Sequence, residues 1–359
     1  MGRRLLLSLC WSPAPAVLLG LVASTSGCVP EFDTDLSQLS EPRLLAISSS
    51  PAETQAQKQV TLTALVAVPE GHAAPAVDWT MCLARKPLTE LGPVNPLCLA
   101  PDDGSGAVLG LGRGASATAT LDKDVCKLFG PLRPSPMGGE GAGRPADPDV
   151  TGGFYQPIVA RLGRATSLGS VRLDCDLANV DRDQELSYRK QYRVNENPRI
   201  NSVERVTDHD QQPLAAGDAS SFEVSAGSRV LLRASWDDCS TESSCGDGLC
   251  TAFEDQTSCP NDCNGTLRGC TGAQPYVWYD GETERVQQRR EGISIAWYAS
   301  RGHFENEQTG LDEAQAAASN FTENTYIAGS APGPATLWLV VRDTRGGQSW
   351  EIRHLEVTP

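Results

Sequence analysis

The stretch Gly292-Ile293-Ser294-Ile295-Ala296-Trp297-Tyr298-Ala299-Ser300 puts Ile293, Ile295, Trp297 and Ala299 on one face and smaller or polar groups on most of the other. A period of two is the pattern of a β-strand buried on one side. Working outward, Ala335-Thr336-Leu337-Trp338-Leu339-Val340-Val341-Arg342-Asp343 reads as a second apolar strand, followed by a Gly346-Gly347 turn and a terminal strand over Ser349 to Val357. That pair predicts a hairpin closing a sheet. Upstream, Ser228 to Trp236 reads as a further strand, and Arg199-Ile200-Asn201-Ser202-Val203 opens the unit after a boundary at Asn195-Glu196-Asn197-Pro198. The Ala-rich run Glu313 to Ser319 is too short to stand alone as a helix.

The preceding segment repeats the pattern. Arg43 to Ile47 is a short apolar strand, and Gln59 to Val68 alternates over its first half and then turns fully apolar. Ala76 to Ala84 is a third strand, with Trp79 as a core residue matching Trp297 in the second unit. Further strands are predicted at Ser116 to Leu121, Tyr155 to Leu162, Ser170 to Cys175 and Tyr188 to Val194. Pro131 to Pro148 is rich in Pro, Gly and Arg and predicts a long surface loop. Gly104 to Gly110 is superficially like a dinucleotide loop, but no βαβ unit surrounds it, and it reads as a turn. The expected fold class is all-β: two immunoglobulin-like β-sandwich domains, residues 42–197 and 198–359, the second interrupted by a small disulfide-rich module at 239–270.

Composition agrees. Among 359 residues, 34 Gly and 24 Pro favour strands joined by turns, and 40% hydrophobic residues suffice for packed cores. The net charge of −15 argues against a phosphate-neutralising surface, so no nucleic-acid partner is expected.

The N-terminus reads as an address. Arg3 and Arg4 precede the apolar runs Leu5 to Leu9 and Ala16 to Ala23, then Ser24-Thr25-Ser26-Gly27 and Cys28. This is the order of a secretory signal peptide over residues 1–27. Ser26-Gly27-Cys28 resembles the lipobox of bacterial lipoproteins, although Thr25 stands where Leu is usual. The resemblance implies acylation at Cys28, a membrane anchor, and a tether over 28–41. Val29 after the cysteine implies outer-membrane sorting. Removing residues 1–27 leaves a net charge of about −17 and, beside Cys28, ten cysteines: Cys82, Cys98, Cys126, Cys175, Cys239, Cys245, Cys250, Cys259, Cys263 and Cys270. An even number in an exported chain predicts disulfides. For the first unit the expected pairs are Cys82–Cys98 and Cys126–Cys175.

Residues 199–358, apart from the insert, resemble immunoglobulin-like or PKD-like sandwiches of bacterial surface proteins, through Ala296-Trp297-Tyr298 and Leu337 to Gly347. Leu88-Thr89-Glu90 through Cys98-Leu99, with Thr151-Gly152-Gly153-Phe154-Tyr155-Gln156-Pro157, resembles the first half of two-domain lipoproteins of large-genome Gram-negative bacteria. Neither resemblance implies an activity.

Six cysteines fall in the insert, around Cys245-Gly246-Asp247-Gly248-Leu249-Cys250 and Cys259-Pro260-Asn261-Asp262-Cys263. The motif resembles small Cys-rich repeats of secreted bacterial proteins and, distantly, Notch-type calcium modules. A segment this short buries too little apolar area to fold unaided, which calls for covalent staples. Asp247, Gly248 and Glu254 match the second half of an EF-hand loop, but Ser243 and Cys245 replace its first ligands. Asp247, Glu254, Asp255 and Asp262 are therefore candidate calcium ligands beside the plainer reading of solvated acids and no cofactor. Zinc is the competing reading for the thiolates.

No Gly-x-Ser-x-Gly elbow, His-Glu-x-x-His helix or P-loop occurs, and the four His (His72, His209, His303, His354) are not at ligand spacing. No catalysis is expected. The sequence points to an exported outer-membrane lipoprotein acting as a binding or scaffolding module for an envelope protein or glycan. The alternatives are a calcium-stabilised adhesin-like module recognising a glycan or peptide, or a hydrolase. Tyr276, Trp278 and Tyr279 are candidates for an aromatic ligand patch, against a plainer reading as a strand buried in the sandwich.

Overall fold

Two layers of sheet enclose a first core built on Trp79, and two more enclose a second built on Trp297. The computed structural model describes residues 36–87, 90–100, 104–131, 148–177, 180–207, 210–214, 222–239, 259–261 and 269–359. Its first sandwich contains β1 (Arg43–Ser50), β2 (Glu53–Thr54), β3 (Gln59–Ala67), β4 (Val77–Cys82), β5 (Val108–Gly114), β6 (Ser116–Thr120), β7 (Phe154–Leu162) and β8 (Ala165–Leu173). These form a sheet in the order β1-β3-β6 facing a sheet in the order β2-β8-β7-β4-β5. The second contains β9 (Ile200–Val206), β10 (Gln211–Pro213), β11 (Phe222–Ser225), β12 (Arg229–Trp236), β15 (Ile293–Ala299), β16 (His303–Phe304), β17 (Gln308–Leu311), β18 (Phe321–Ile327), β19 (Gly333–Asp343) and β20 (Gln348–Thr358). Its sheets run β10-β9-β12-β18-β16 and β11-β20-β19-β15-β17. Between β12 and β15 lies a separate two-stranded ribbon, β13 (Pro275–Asp280) with β14 (Arg285–Arg290). The chain is an all-β pair of immunoglobulin-like sandwiches.

Side-chain alternation explains how they join. On β3, Val60, Leu62, Ala64 and Val66 enter the first core, while Leu65 and Ala67 point the other way. On β19, Leu337, Leu339 and Val341 enter the second core, while Trp338 and Val340 point out. These outward groups meet in a third apolar layer with Leu39, Leu45, Ala46 and Ala296. The fully apolar end of β3 and the run over 337–341 are thus strands buried on both faces. Residues Leu36–Pro359 accordingly form one compact unit.

Three details depart from the sequence reading. Ser37–Leu39, within the stretch read as a tether, is docked: Leu39 N donates to Ala299 O at 2.8 Å, and Ala299 N to Ser37 O at 2.8 Å. No strand forms over Tyr188 to Val194: Tyr188 to Gln191 belongs to α2 (Arg182–Gln191), which follows the five-residue α1 (Val125–Phe129), and Tyr192 to Val194 is irregular. The Asp181 side chain caps Asp183 N, and Arg189 pairs with Glu185 one turn earlier at 2.8 Å. Acids at the start and bases at the end suit the helix dipole. Finally, the turn at Gly104 runs directly into β5, whose glycines hid a strand that pairs with β4.

Disulfides join Cys82 to Cys98, Cys126 to Cys175, and Cys239 to Cys270. The last closes the neck of the insert, and Cys259 is also disulfide-bonded. Cys245, Cys250 and Cys263 lie outside the described residues, as does most of the long loop after Pro131.

Candidate functional site

A cleft of about 1000 Å3 lies where the two sandwiches meet. Leu44–Ile47 of β1, Phe154 and Tyr155 of β7, Ser167–Ser170 of β8 and the β19–β20 turn line it. The free edge of β1 is occupied within this join. Arg342 Nη2 donates to Leu45 O at 2.9 Å, Gln348 Nε2 donates to Ile47 O, and Ser48 Oγ donates to Gln348 O at 2.7 Å. Side chains of the second sandwich thereby satisfy an edge strand that is otherwise open to pairing.

Beneath the cleft wall the β19–β20 turn sends Arg345 into the protein, where it is fully buried. Its Nη2 donates to Arg193 O at 2.8 Å, Glu53 Oε2 at 3.1 Å and Tyr192 Oη at 3.3 Å, and its Nη1 to Glu291 Oε1 at 3.4 Å. The guanidinium carbon lies 4.8 Å from the Tyr276 ring centroid and 5.6 Å from that of Tyr192. Glu53 also accepts from the Tyr192 hydroxyl and from Asn195 N at 2.8 Å, and Arg172 Nε lies 3.6 Å away. Arg172 Nη1 in turn donates to Thr151 Oγ1 and Tyr155 Oη, each at 2.8 Å. Asp343 shapes the turn: its Oδ1 accepts from Arg345 N at 2.8 Å and Gly347 N at 2.9 Å. One arginine thus binds the first sandwich through Glu53, the connector through Tyr192 and Arg193, and the segment after β14 through Glu291.

Burial sets the electrostatics. It works against the Arg345 charge, and Arg172 adds to that, but Tyr192, Glu53 and Glu291 outweigh both and keep the group above its ordinary pKa. Burial, then repulsion from Asp343, raises Glu291 well above the carboxylate range. Burial pushes Asp343 up to about 6 against the pull of the Gly347 N–H and Arg345. Tyr192 is pushed up to about 12 by burial and then by Glu53. Charged groups removed from water persist only where partners replace it. These groups fix two sandwiches in one orientation and with them the shape of the cleft.

The residues singled out in the sequence lie elsewhere. Trp79 and Trp297 are core residues, 1% and 0% exposed. Tyr276, Trp278 and Tyr279 do form a strand, but in the ribbon rather than in a sandwich sheet. Tyr276 is buried against Arg345, and Arg289 stacks 5.2 Å over Trp278. Cys28 and the carboxylates Asp247, Glu254, Asp255 and Asp262 lie outside the described residues. Among the described residues no group of three or more His, Cys, Asp or Glu is arranged to hold a metal, and no helix is long and apolar enough to cross a membrane. Sequence reasoning missed Glu53, Arg172, Tyr192, Glu291 and Arg345. The only signal was Asp343-Thr344-Arg345-Gly346-Gly347, where an arginine sits inside a glycine turn and reads as an exposed tip.

No family model matches the sequence, and no curated protein does. Solved structures are similar only remotely. Dimeric latent PorU from Porphyromonas gingivalis is 14% identical, with 89% of this chain and 24% of that one covered at a TM-score of 0.20. The adhesin InvE of Yersinia pseudotuberculosis is 9% identical, with 88% and 60% covered at 0.21. Fibronectin(III)-like modules of CbhA from Clostridium thermocellum are 8% identical, with 87% and 94% covered at 0.19. The chain thus spans about a quarter of PorU's length.

Proposed function

We propose that this chain is an exported lipoprotein, acylated at Cys28 and held at the outer membrane, whose joined sandwiches act as a non-catalytic binding or scaffolding module of the cell envelope. The observation that carries the reading is the order Arg3-Arg4, apolar run, Ser26-Gly27-Cys28. The disulfides support it, since such bonds persist in oxidising compartments. The cleft supports a binding role: its walls are preset by buried contacts, so a ligand meets a surface that needs no ordering. A glycan or an extended peptide suits its mixed polar and apolar lining.

The test is intact mass of the protein purified from its native membrane, before and after reduction and alkylation. The reading expects residues 28–359 plus acyl groups, with ten cysteines alkylated only after reduction. A mass without acyl groups, or a thiol alkylated before reduction, contradicts it. Calcium adducts in the native mass spectrum of the unreduced sample, lost in variants of Asp247 and Glu254, extend the reading to a metal site in the insert.

A further inference from the structure

Three carboxylates, Glu53, Glu291 and Asp343, are buried together where the sandwiches meet. Charged and titratable groups face them from every element packed there. Arg172 comes from β8, Tyr188 from α2, Tyr192 and Arg193 from the segment after it, Tyr276 from β13, and Arg345 from the β19–β20 turn. Tyr155 of β7 reaches the Arg345 carbonyl at 3.1 Å, with Asp149 beyond it at 2.7 Å.

The three carboxylates are not equally served. Glu53 has the arginine at 3.1 Å, a tyrosine hydroxyl and a backbone N–H. Glu291 has the same arginine only at 3.4 Å, plus Gln274 N at 3.0 Å. Asp343 has two backbone donors on Oδ1, while its buried Oδ2 makes no hydrogen bond of normal geometry. The Asn195 amide stands beside it with its own oxygen and nitrogen unpaired. Arg172 is engaged by Thr151 and Tyr155. A buried carboxylate oxygen without a donor is costly as an anion. The Asn195 side chain favours the anion, but burial outweighs it and raises the affinity of Asp343 for a proton.

We propose that the join between the two sandwiches is a proton-linked latch: Asp343 and Glu291 take up protons as it closes, so the sandwiches hold together more tightly in mildly acidic medium than above neutral pH. The sign follows from linkage. A carboxyl group that binds its proton more tightly in the folded state stabilises fully below the ordinary carboxylate range. That contribution is lost as pH rises through the folded value. Burial raises both groups, so the loss begins above the ordinary carboxylate range and, for Asp343, runs through about pH 6. Exposed carboxylates held below their ordinary values, such as Asp124 (by Lys127) and Glu305 (by Arg229), act at lower pH.

The test is the melting temperature of the full chain from pH 5 to pH 8, with Asp343→Asn and Glu291→Gln as neutral isosteres. The native chain is expected to melt about 5 °C lower at pH 8 than at pH 5. Each variant is expected to flatten that slope and to match or exceed the native chain at pH 8. Net proton uptake on refolding at pH 6.5, measured in weak buffer, reads the same linkage without a variant and is expected to be positive. A melting temperature that is flat or rises over this range overturns the proposal. So do folded variants that keep the native slope, or the absence of proton uptake.

Discussion

Arg345 and Glu53 sit 292 positions apart in the chain, and both are fully buried with 3.1 Å between Nη2 and Oε2. One belongs to the last hairpin of the second sandwich and the other to the shortest strand of the first. Their pairing is therefore a bond between the two halves of the molecule. Truncating one partner leaves the other buried with fewer groups to offset its charge. Arg345→Met is expected to cost about 3–5 kcal/mol in urea-induced unfolding. Adding Glu53→Gln to Arg345→Met is expected to recover part of that loss, which a double-mutant cycle measures directly.

The apolar layer between the sandwiches has its own anchor in Trp338, 3% exposed on the outer face of β19. Trp338→Ala removes a buried indole from that layer without touching either Trp79 or Trp297. The expected loss is about 3–5 kcal/mol by chemical denaturation. A loss near zero shows that the layer is not packed as described.

The disulfides differ in the length of chain they restrain. Cys126–Cys175 spans 49 positions and Cys82–Cys98 spans 16. Loop-closure entropy predicts losses of roughly 4 and 3 kcal/mol when each pair is replaced by alanines. The order is read from urea midpoints of the two double variants.

Gly302, between β15 and β16, has φ +74, and a Cβ there falls 2.3 Å from Ile327 O. Gly163, between β7 and β8, has φ +59 and open space around it. Gly302→Ala is expected to destabilise clearly more than the ~1 kcal/mol of left-handed strain expected at Gly163→Ala. Thermal melts of the two variants side by side check it.

Much of the fold was legible because burial on one face writes itself as a period of two. Ile293 to Ala299 and Val60 to Leu62 show this plainly. The join between the sandwiches was legible only in part. The continuous apolar runs at Leu65–Ala67 and Leu337–Val341 recorded burial on both faces, but a single chain of letters does not say against what. The Arg345 cluster left no signal that pointed to burial. Glu53 follows Pro51-Ala52 and Arg345 sits in a glycine turn, positions where charged residues are ordinarily solvated. Tyr188 to Gln191 was misread because aromatic residues favour strands, whereas the acidic and basic ends of α2 decided for helix. Gly110, Gly112 and Gly114 concealed β5, since glycine weakens the alternation that marks a strand.

Calorimetric unfolding of the chain tests most directly whether the two sandwiches are one unit. One transition is expected, with calorimetric and van't Hoff enthalpies equal. Two resolved transitions, one of them unchanged in Arg345→Met, contradict it.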